Sequence, residues 1–253
     1  ADRVYQLPLG LLGVAFGMVL LPDLSRKLRA GQESAAVHSL NRGIEIALLF
    51  ALPAAVALVT IPWSIVSVLF ERGAFDAEAA VATAWALGAF ALGVPAYVLV
   101  KILQPGFFAR EDTMTPFKAA AAMVAVNIVG SVGLFFAIGF VGIALPTAIA
   151  AWVNVVLLGL WLRRAGFLRL DARARARVPR MVAASLVMGA GLLIGQWALM
   201  PWLDAGPAER IPALVLLIAG GLALYGGAAI TTRAADVGEV LSLFRRRAAA
   251  EQT

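Results

Sequence analysis

The sequence contains no cysteine and only one histidine, His38, in 253 residues. Without cysteine there is no disulfide framework, no thiolate nucleophile and no cysteine-ligated metal. His38 lies in a polar stretch, where a lone histidine is more often a solvated side chain than a metal ligand. We therefore predict no cofactor and no metal site.

Charge is also scarce, since charged residues make up 14% of the chain and hydrophobic residues 62%. Soluble domains are about 25% charged and about 45–50% apolar. A soluble chain of this length would leave large apolar patches exposed. Enzyme signatures are missing as well, with no G-x-x-x-x-G-K-[ST], H-E-x-x-H or G-x-S-x-G. We predict an integral membrane protein that is not an enzyme.

Long apolar runs are what the sequence does contain. Runs of roughly 20 residues, the length that crosses a bilayer, are continuous rather than alternating, which indicates helices. The predicted spans are 4–23, 45–70, 81–108, 117–139, 141–162, 181–202 and 211–232. The prediction is an all-α, polytopic membrane protein with seven transmembrane helices and a tight turn between the fourth and the fifth.

Basic residues alternate between the gaps that separate these spans. The gaps after the first, third and fifth spans and the tail after the seventh together hold 17 Lys and Arg residues. The gaps after the second, fourth and sixth spans hold two. Because basic loops stay in the cytoplasm, the carboxyl terminus is predicted to be cytoplasmic and the first residue to lie on the outer side. This pattern accounts for the net charge of +6 without nucleic acid. For the stretch DARARARVPR we predict contact with anionic membrane lipids.

The opening segment, ADRVYQLPLGLLGVAFGMVLLPDLSR, places polar residues at the start of an apolar run. Spacings of three and four put residues on one helix face, and this face carries Arg3, Gln6, Gly10, Gly13 and Gly17, flanked by Asp2. Such a column is typical of a helix that lines a cavity. Two alternatives stay open: Arg3 snorkels to the outer interface, and the glycines only pack helices. A start without methionine or signal peptide indicates a cut through a longer chain.

Besides Arg3, Lys101 is the one basic residue that the count assigns to no gap. Charges inside the membrane usually face a cavity or a partner. Lys101 is also within about 14 Å of the cytoplasmic end, so that its stem can reach the headgroups. Both interpretations stay open. Asn127, Ser131, Thr147 and Asn154 are further intramembrane polar residues, which more often join helices than bind cargo.

Two motifs carry a family resemblance: the opening segment and the later LVKILQPGFFAREDTMTPFK. They resemble the MurJ/MviN lipid II flippases of bacteria, within the superfamily of multidrug, oligosaccharidyl-lipid and polysaccharide exporters. The resemblance implies fourteen helices, arranged as two six-helix lobes around a cavity plus two extra helices. The seven spans would then be helices eight to fourteen, and the N-terminal lobe would be missing. Residues 1–163 would form most of the second lobe, and 164–253 a basic cytoplasmic linker, two additional helices and the cytoplasmic tail.

The resemblance also implies roles for particular residues. Arg3, with Asp2 and Gln6 beside it, would engage the lipid-linked diphosphate, for which a guanidinium is well suited. Lys101 is a further candidate substrate contact. Asn127, Ser131 and Thr147 would form an ion site, in which Ser131 stands where relatives carry a carboxylate. The last two spans would form a groove for the long lipid tail.

The predicted function is translocation of lipid II across the bacterial cytoplasmic membrane by alternating access, as part of a longer chain. Two alternatives stay open at this point. One is an exporter of another lipid-linked glycan or amphiphile, and the other is a non-transporting membrane scaffold.

Overall fold

The computed structural model describes residues 20–70, 77–138, 141–203 and 205–234, and within these ranges the chain is helical without strands. The helices are α1 (residues 20–29), α2 (Glu33–Thr60), α3 (Pro62–Phe70), α4 (Ala77–Ala91), α5 (Val94–Phe108), α6 (Met114–Ile138), α7 (Val141–Arg164), α8 (Ala172–Leu203) and α9 (Pro207–Thr231).

Six helical stretches of the described chain are long and apolar enough to cross a membrane. They are Glu33–Thr60, Glu78–Phe108, Met114–Ala137, Gly142–Arg164, Ala172–Leu203 and Glu209–Thr231. These correspond to the second to seventh predicted spans, so the predicted all-α, polytopic class is confirmed. The first predicted span lies almost wholly outside the described residues, as do residues 139 and 140 of the predicted tight turn.

Two predicted spans are not single helices. The prediction of one helix over 45–70 is wrong, because α2 begins at Glu33 and breaks at Ile61, whose φ is −124° and ψ 40°. Pro62 explains the break, since a proline disfavours the helical conformation of the residue before it. The span predicted over 81–108 is likewise divided into α4 and α5 by a turn at Leu92 and Gly93.

The arginine-rich stretch that the sequence indicates as a linker is mostly helix. Helix α8 begins at Ala172, well before the predicted residue 181. Asp171 starts it, because its Oδ1 accepts a hydrogen bond of 2.7 Å from the backbone N–H of Ala174. The connection between α7 and α8 is therefore only residues 165–171.

Helix α2 lies at the centre of the described bundle, where it packs against α4, α5 and α8. On one side α4 and α5 contact α7. Helix α6 packs on α7 and forms that edge of the bundle. On the other side α8 pairs with α9, which also touches α3. The order across the bundle is therefore α6, α7, α4 with α5, α2, α8 and α9.

The outer helices expose apolar side chains rather than polar ones. Phe136 on α6 is 84% exposed and Trp197 on α8 is 78% exposed. In water such a surface would drive aggregation, whereas hydrocarbon solvates it at no cost. Such faces are suited to a hydrocarbon environment.

Four helices close in the same way at the end of the bundle that holds the basic connections. In each, one residue at the end of the helix adopts a left-handed conformation. The backbone N–H of the following residue donates a hydrogen bond to the carbonyl five residues before it, so that a carbonyl of the last turn gains a partner. The four left-handed residues are Gly31, Glu111, Gly166 and Arg233. At α7, for example, the N–H of Phe167 donates to the carbonyl of Leu162 at 2.8 Å. Basic residues lie beside each of these four helix ends.

Candidate functional site

The cavity face predicted at the amino end is outside the part of the chain that the structure describes. It comprises Asp2, Arg3, Gln6, Gly10, Gly13 and Gly17, and all six lie outside the described residues. Their roles remain predictions.

Lys101 lies on the face of α5 that is not buried. Tyr97, Lys101, Gln104 and Phe108 are spaced four, three and four apart, so they share one face of the helix. Lys101 is exposed, whereas the remaining face of α5 is buried against α2 and α7. The ammonium group is therefore turned away from the core of the described bundle.

The predicted ion-site residues lie at the interface between α6 and α7. Asn127 Nδ2 donates a hydrogen bond of 2.8 Å to Thr147 Oγ1, which in turn donates to the carbonyl of Ile143 at 2.9 Å. Ser131 lies one turn further along α6, and its buried Oγ has no hydrogen-bond partner among the described residues. The structure thus joins two of the three side chains directly. Nowhere in the described ranges do three Asp, Glu, His or Cys residues group as metal ligands would.

We expect the Asn127–Thr147 pair to contribute to packing of α6 on α7. A double-mutant cycle of Asn127→Ala and Thr147→Val should give a coupling free energy of about 0.6 kcal/mol and at most about 1.7 kcal/mol. Thermal unfolding in detergent provides the measurement. Thr231→Val is the matched control, since Thr231 bonds only to carbonyls of its own helix and should be additive with Asn127→Ala. Stabilisation by Na⁺ over K⁺, lost in both variants, would instead indicate an ion site.

A buried ion-pair cluster joins α2 to α8, and the sequence analysis did not find it. Glu45 is 2% exposed and its Oε2 faces three guanidinium groups. Those of Arg42, Arg177 and Arg173 lie at 2.5, 3.3 and 3.6 Å from it. Arg42 is on α2 with Glu45, whereas the other two come from α8. One sequence feature did point to this cluster: Glu45 comes three positions after Arg42, at the start of an apolar run.

The short connection 165–171 is fastened to the same region. Asn41 Nδ2 donates to the backbone carbonyl of Arg169 at 2.8 Å. The guanidinium of Arg110 lies 3.3 Å from the centre of the Phe167 ring, a cation–π contact. His38 on α2 comes within 3.8 Å of the Asp171 carboxylate. Connections that are distant in sequence, after α5 and after α7, therefore meet at one end of the bundle.

An apolar groove of about 360 Å³ lies between α2, α3, α8 and α9. Phe50, Pro53, Ile61, Met188, Leu192, Ile218 and Leu222 are among its lining residues. At one end, Tyr225 Oη donates a hydrogen bond of 2.6 Å to the carbonyl of Leu49. The groove presents a nearly unbroken hydrocarbon surface, which is suited to an acyl or prenyl chain. An apolar groove therefore lies at the last two helices, with α2 and α3 forming its opposite wall, and its role for a lipid tail stays a prediction.

The fold and these sites define a multi-span α-helical membrane protein with a helix pair docked on its central helix. The family model described as "Lipid II flippase MurJ" matches residues 1–204. A probable lipid II flippase MurJ of Rhizobium meliloti is 41% identical over 99% of the chain, and one of Rhizobium tropici is 42% identical over 98%. The lipid II flippase MurJ of Burkholderia cenocepacia is 32% identical over 98%.

The chain belongs to the lipid II flippase MurJ family, so the resemblance identified from the two motifs is confirmed. It spans 47% of the length of each of these three relatives. A solved structure named "Lipid II flippase MurJ, inward closed conformation" matches with a TM-score of 0.71 at 24% identity, covering 92% of this chain and 46% of that one. That match supports the fold. Family and apolar helices together make this a multi-pass inner-membrane protein.

Proposed function

We propose that this chain is the second half of a lipid II flippase, which moves the lipid-linked peptidoglycan precursor across the bacterial cytoplasmic membrane. The observation that carries the proposal is the family match over residues 1–204, together with six helices of spanning length. The activity is transport by alternating access rather than catalysis.

The proposed division of the chain lies at the end of α7. Residues 1–163 form most of the second transporter lobe, and 164–253 contain the linker, the two additional helices and the tail. A lobe supplied by the other half of the protein would complete the cavity, since the named relatives are about twice as long as this chain. The exposed strip around Lys101 on α5 is one face that such a lobe would meet.

The proposed orientation places the basic end of the bundle in the cytoplasm. The ends of α1, α7 and α9, the first turns of α8 and the connections after α5 and after α7 carry most of the basic residues of the described chain. Basic loops are retained on the cytoplasmic side. The carboxyl terminus would then be cytoplasmic and the first residue outside.

The proposed substrate contacts are a cation for the diphosphate and a groove for the tail. Arg3, flanked by Asp2 and Gln6, offers two parallel N–H donors to phosphate oxygens. Lys101 would add a point charge to the same cavity. The apolar groove at α8 and α9 would hold the long hydrocarbon chain.

Replacement of Arg3 tests this proposal. In the full-length protein, Arg3→Ala should weaken binding of the lipid-linked diphosphate about 10- to 100-fold, since charge-assisted hydrogen bonds are lost. The variant should therefore fail to rescue growth of a flippase-depleted strain while inserting at the normal level. Arg26→Ala is the matched control, because Arg26 is exposed and pairs only with Asp23 in the described structure.

Two outcomes would count against it. Normal rescue by Arg3→Ala would remove that guanidinium from the substrate path. If the wild-type protein fails to rescue and the depleted cells accumulate a different lipid-linked glycan, the substrate assignment is wrong.

A further inference from the structure

A second groove, of about 660 Å³, lies on the other side of the connection between α7 and α8. Its walls are the last two turns of α7, the connection itself and the first turn of α8. The lining residues are Val156, Gly159, Leu160, Arg163, Leu168, Arg169, Leu170 and Arg175. None of them lines the apolar groove described above.

The charge of this groove has one sign. Arg163, Arg169 and Arg175 are exposed, and no acidic residue lines the groove. Within the described ranges none of these three guanidinium groups pairs with a carboxylate. Their helical neighbours differ: Arg173 and Arg177 point to Glu45. Since Arg175 lies between them in sequence, it occupies the opposite face of α8.

The floor of the groove is apolar. Val156 and Leu160 lie one turn apart on α7, and they are 53% and 44% exposed. Leu170 reaches the same space from the connection and is 47% exposed. Val156 lies about 10 Å deeper along the helix axis than Arg163. A ligand that fits both parts has an anionic head and a hydrocarbon chain directed into the membrane.

We propose that this groove binds an anionic phospholipid of the leaflet at the basic end of the bundle. The phosphodiester accepts hydrogen bonds from Arg163, Arg169 and Arg175, and one acyl chain lies along Val156 and Leu160. Guanidinium groups bind phosphate oxygens well, and basic pockets between membrane helices bind anionic headgroups. The lipid is a bound component of the protein and not the transported molecule.

Native mass spectrometry of the full-length protein, in micelles containing phosphatidylglycerol and phosphatidylcholine, tests the site. We expect preferential retention of phosphatidylglycerol by the wild-type protein. The triple variant Arg163→Gln, Arg169→Gln and Arg175→Gln should bind it at least about tenfold more weakly. The control triple Arg29→Gln, Arg180→Gln and Arg233→Gln removes the same charge from exposed positions at the same end and should retain the lipid.

The variant Gly159→Leu tests the acyl part of the groove without changing its charge. A Cβ at Gly159 comes no closer than 3.9 Å to Leu168, so the helix tolerates a side chain there, whereas a leucine fills the acyl part of the groove. This variant should also lose phosphatidylglycerol, with its thermal unfolding unchanged. Arg3→Ala should keep it, which separates this site from the proposed substrate site.

Three results would overturn the proposal. Equal loss of lipid in both triple variants would indicate general attraction to a basic surface. Full retention in the groove triple or in Gly159→Leu would place the lipid elsewhere. Equal retention of phosphatidylglycerol and phosphatidylcholine by the wild-type protein would mean that the groove does not select an anionic headgroup.

Discussion

Glu45→Ala is expected to lower the free energy of unfolding by about 3 kcal/mol. Removing one partner of a buried ion pair leaves the other charge uncompensated, which costs about 3–5 kcal/mol. The lower end of that range applies because Arg173 is 42% exposed and retains water. The midpoint of thermal unfolding should fall by about 6–12 °C.

The effect should be confined to the junction of α2 and α8. Limited proteolysis should therefore cut the connection 165–171 faster in Glu45→Ala than in the wild type. Glu78→Ala is the matched control, because Glu78 is an exposed acid in the first turn of α4. Unchanged unfolding and proteolysis of Glu45→Ala would mean that apolar packing alone holds α8 on α2.

Gly130→Leu is expected to destabilise the protein by about 3 kcal/mol by separating α6 from α7. A Cβ at Gly130 would lie 2.8 Å from Cβ and 3.3 Å from Cγ of Pro146. A proline ring cannot rotate away, so the helices must move apart, and such overpacking costs about 1–3 kcal/mol. Separation also breaks the Asn127–Thr147 hydrogen bond, which adds to the loss.

Gly133→Leu provides the comparison for this substitution. Gly133 is on the same helix and a Cβ there has no neighbour within 4 Å. Both variants gain the same apolar side chain, so any difference in thermal unfolding between them reports the contact with Pro146. Equal stability of the two would show that α6 does not depend on close approach to α7.

The helical class and six of the seven spans could be predicted from the sequence because lipid imposes a length and a composition on every span. The breaks within two spans were harder to predict, because the sequence stays apolar across Ile61 and across Leu92. Pro62 carries the local signal for the first break. The beginning of α8 was misjudged because arginines were counted as loop residues, although nothing in their intrinsic propensity opposes a helix.

Tertiary contacts decided the features that the sequence analysis missed. Glu45 and Arg177 are separated by 132 positions, and no local pattern indicates that they meet. The polar residues on α6 and α7 could be listed from hydropathy, but the partner of each depended on helix rotation. Thus Asn127 bonds to Thr147, whereas Asn154 donates to the sulfur of Met123 at 3.4 Å.

The walls of the apolar groove between α2, α3, α8 and α9 are tied together at one end only. Tyr225 holds α9 to Leu49, and about one turn away the Glu45 cluster holds α8. Towards Ile65 and Ile218 the facing side chains are apolar and make no such ties. Among the described residues, the polar contacts between this helix pair and α2 are thus concentrated at the basic end, and towards Ile65 and Ile218 the pair depends on apolar packing.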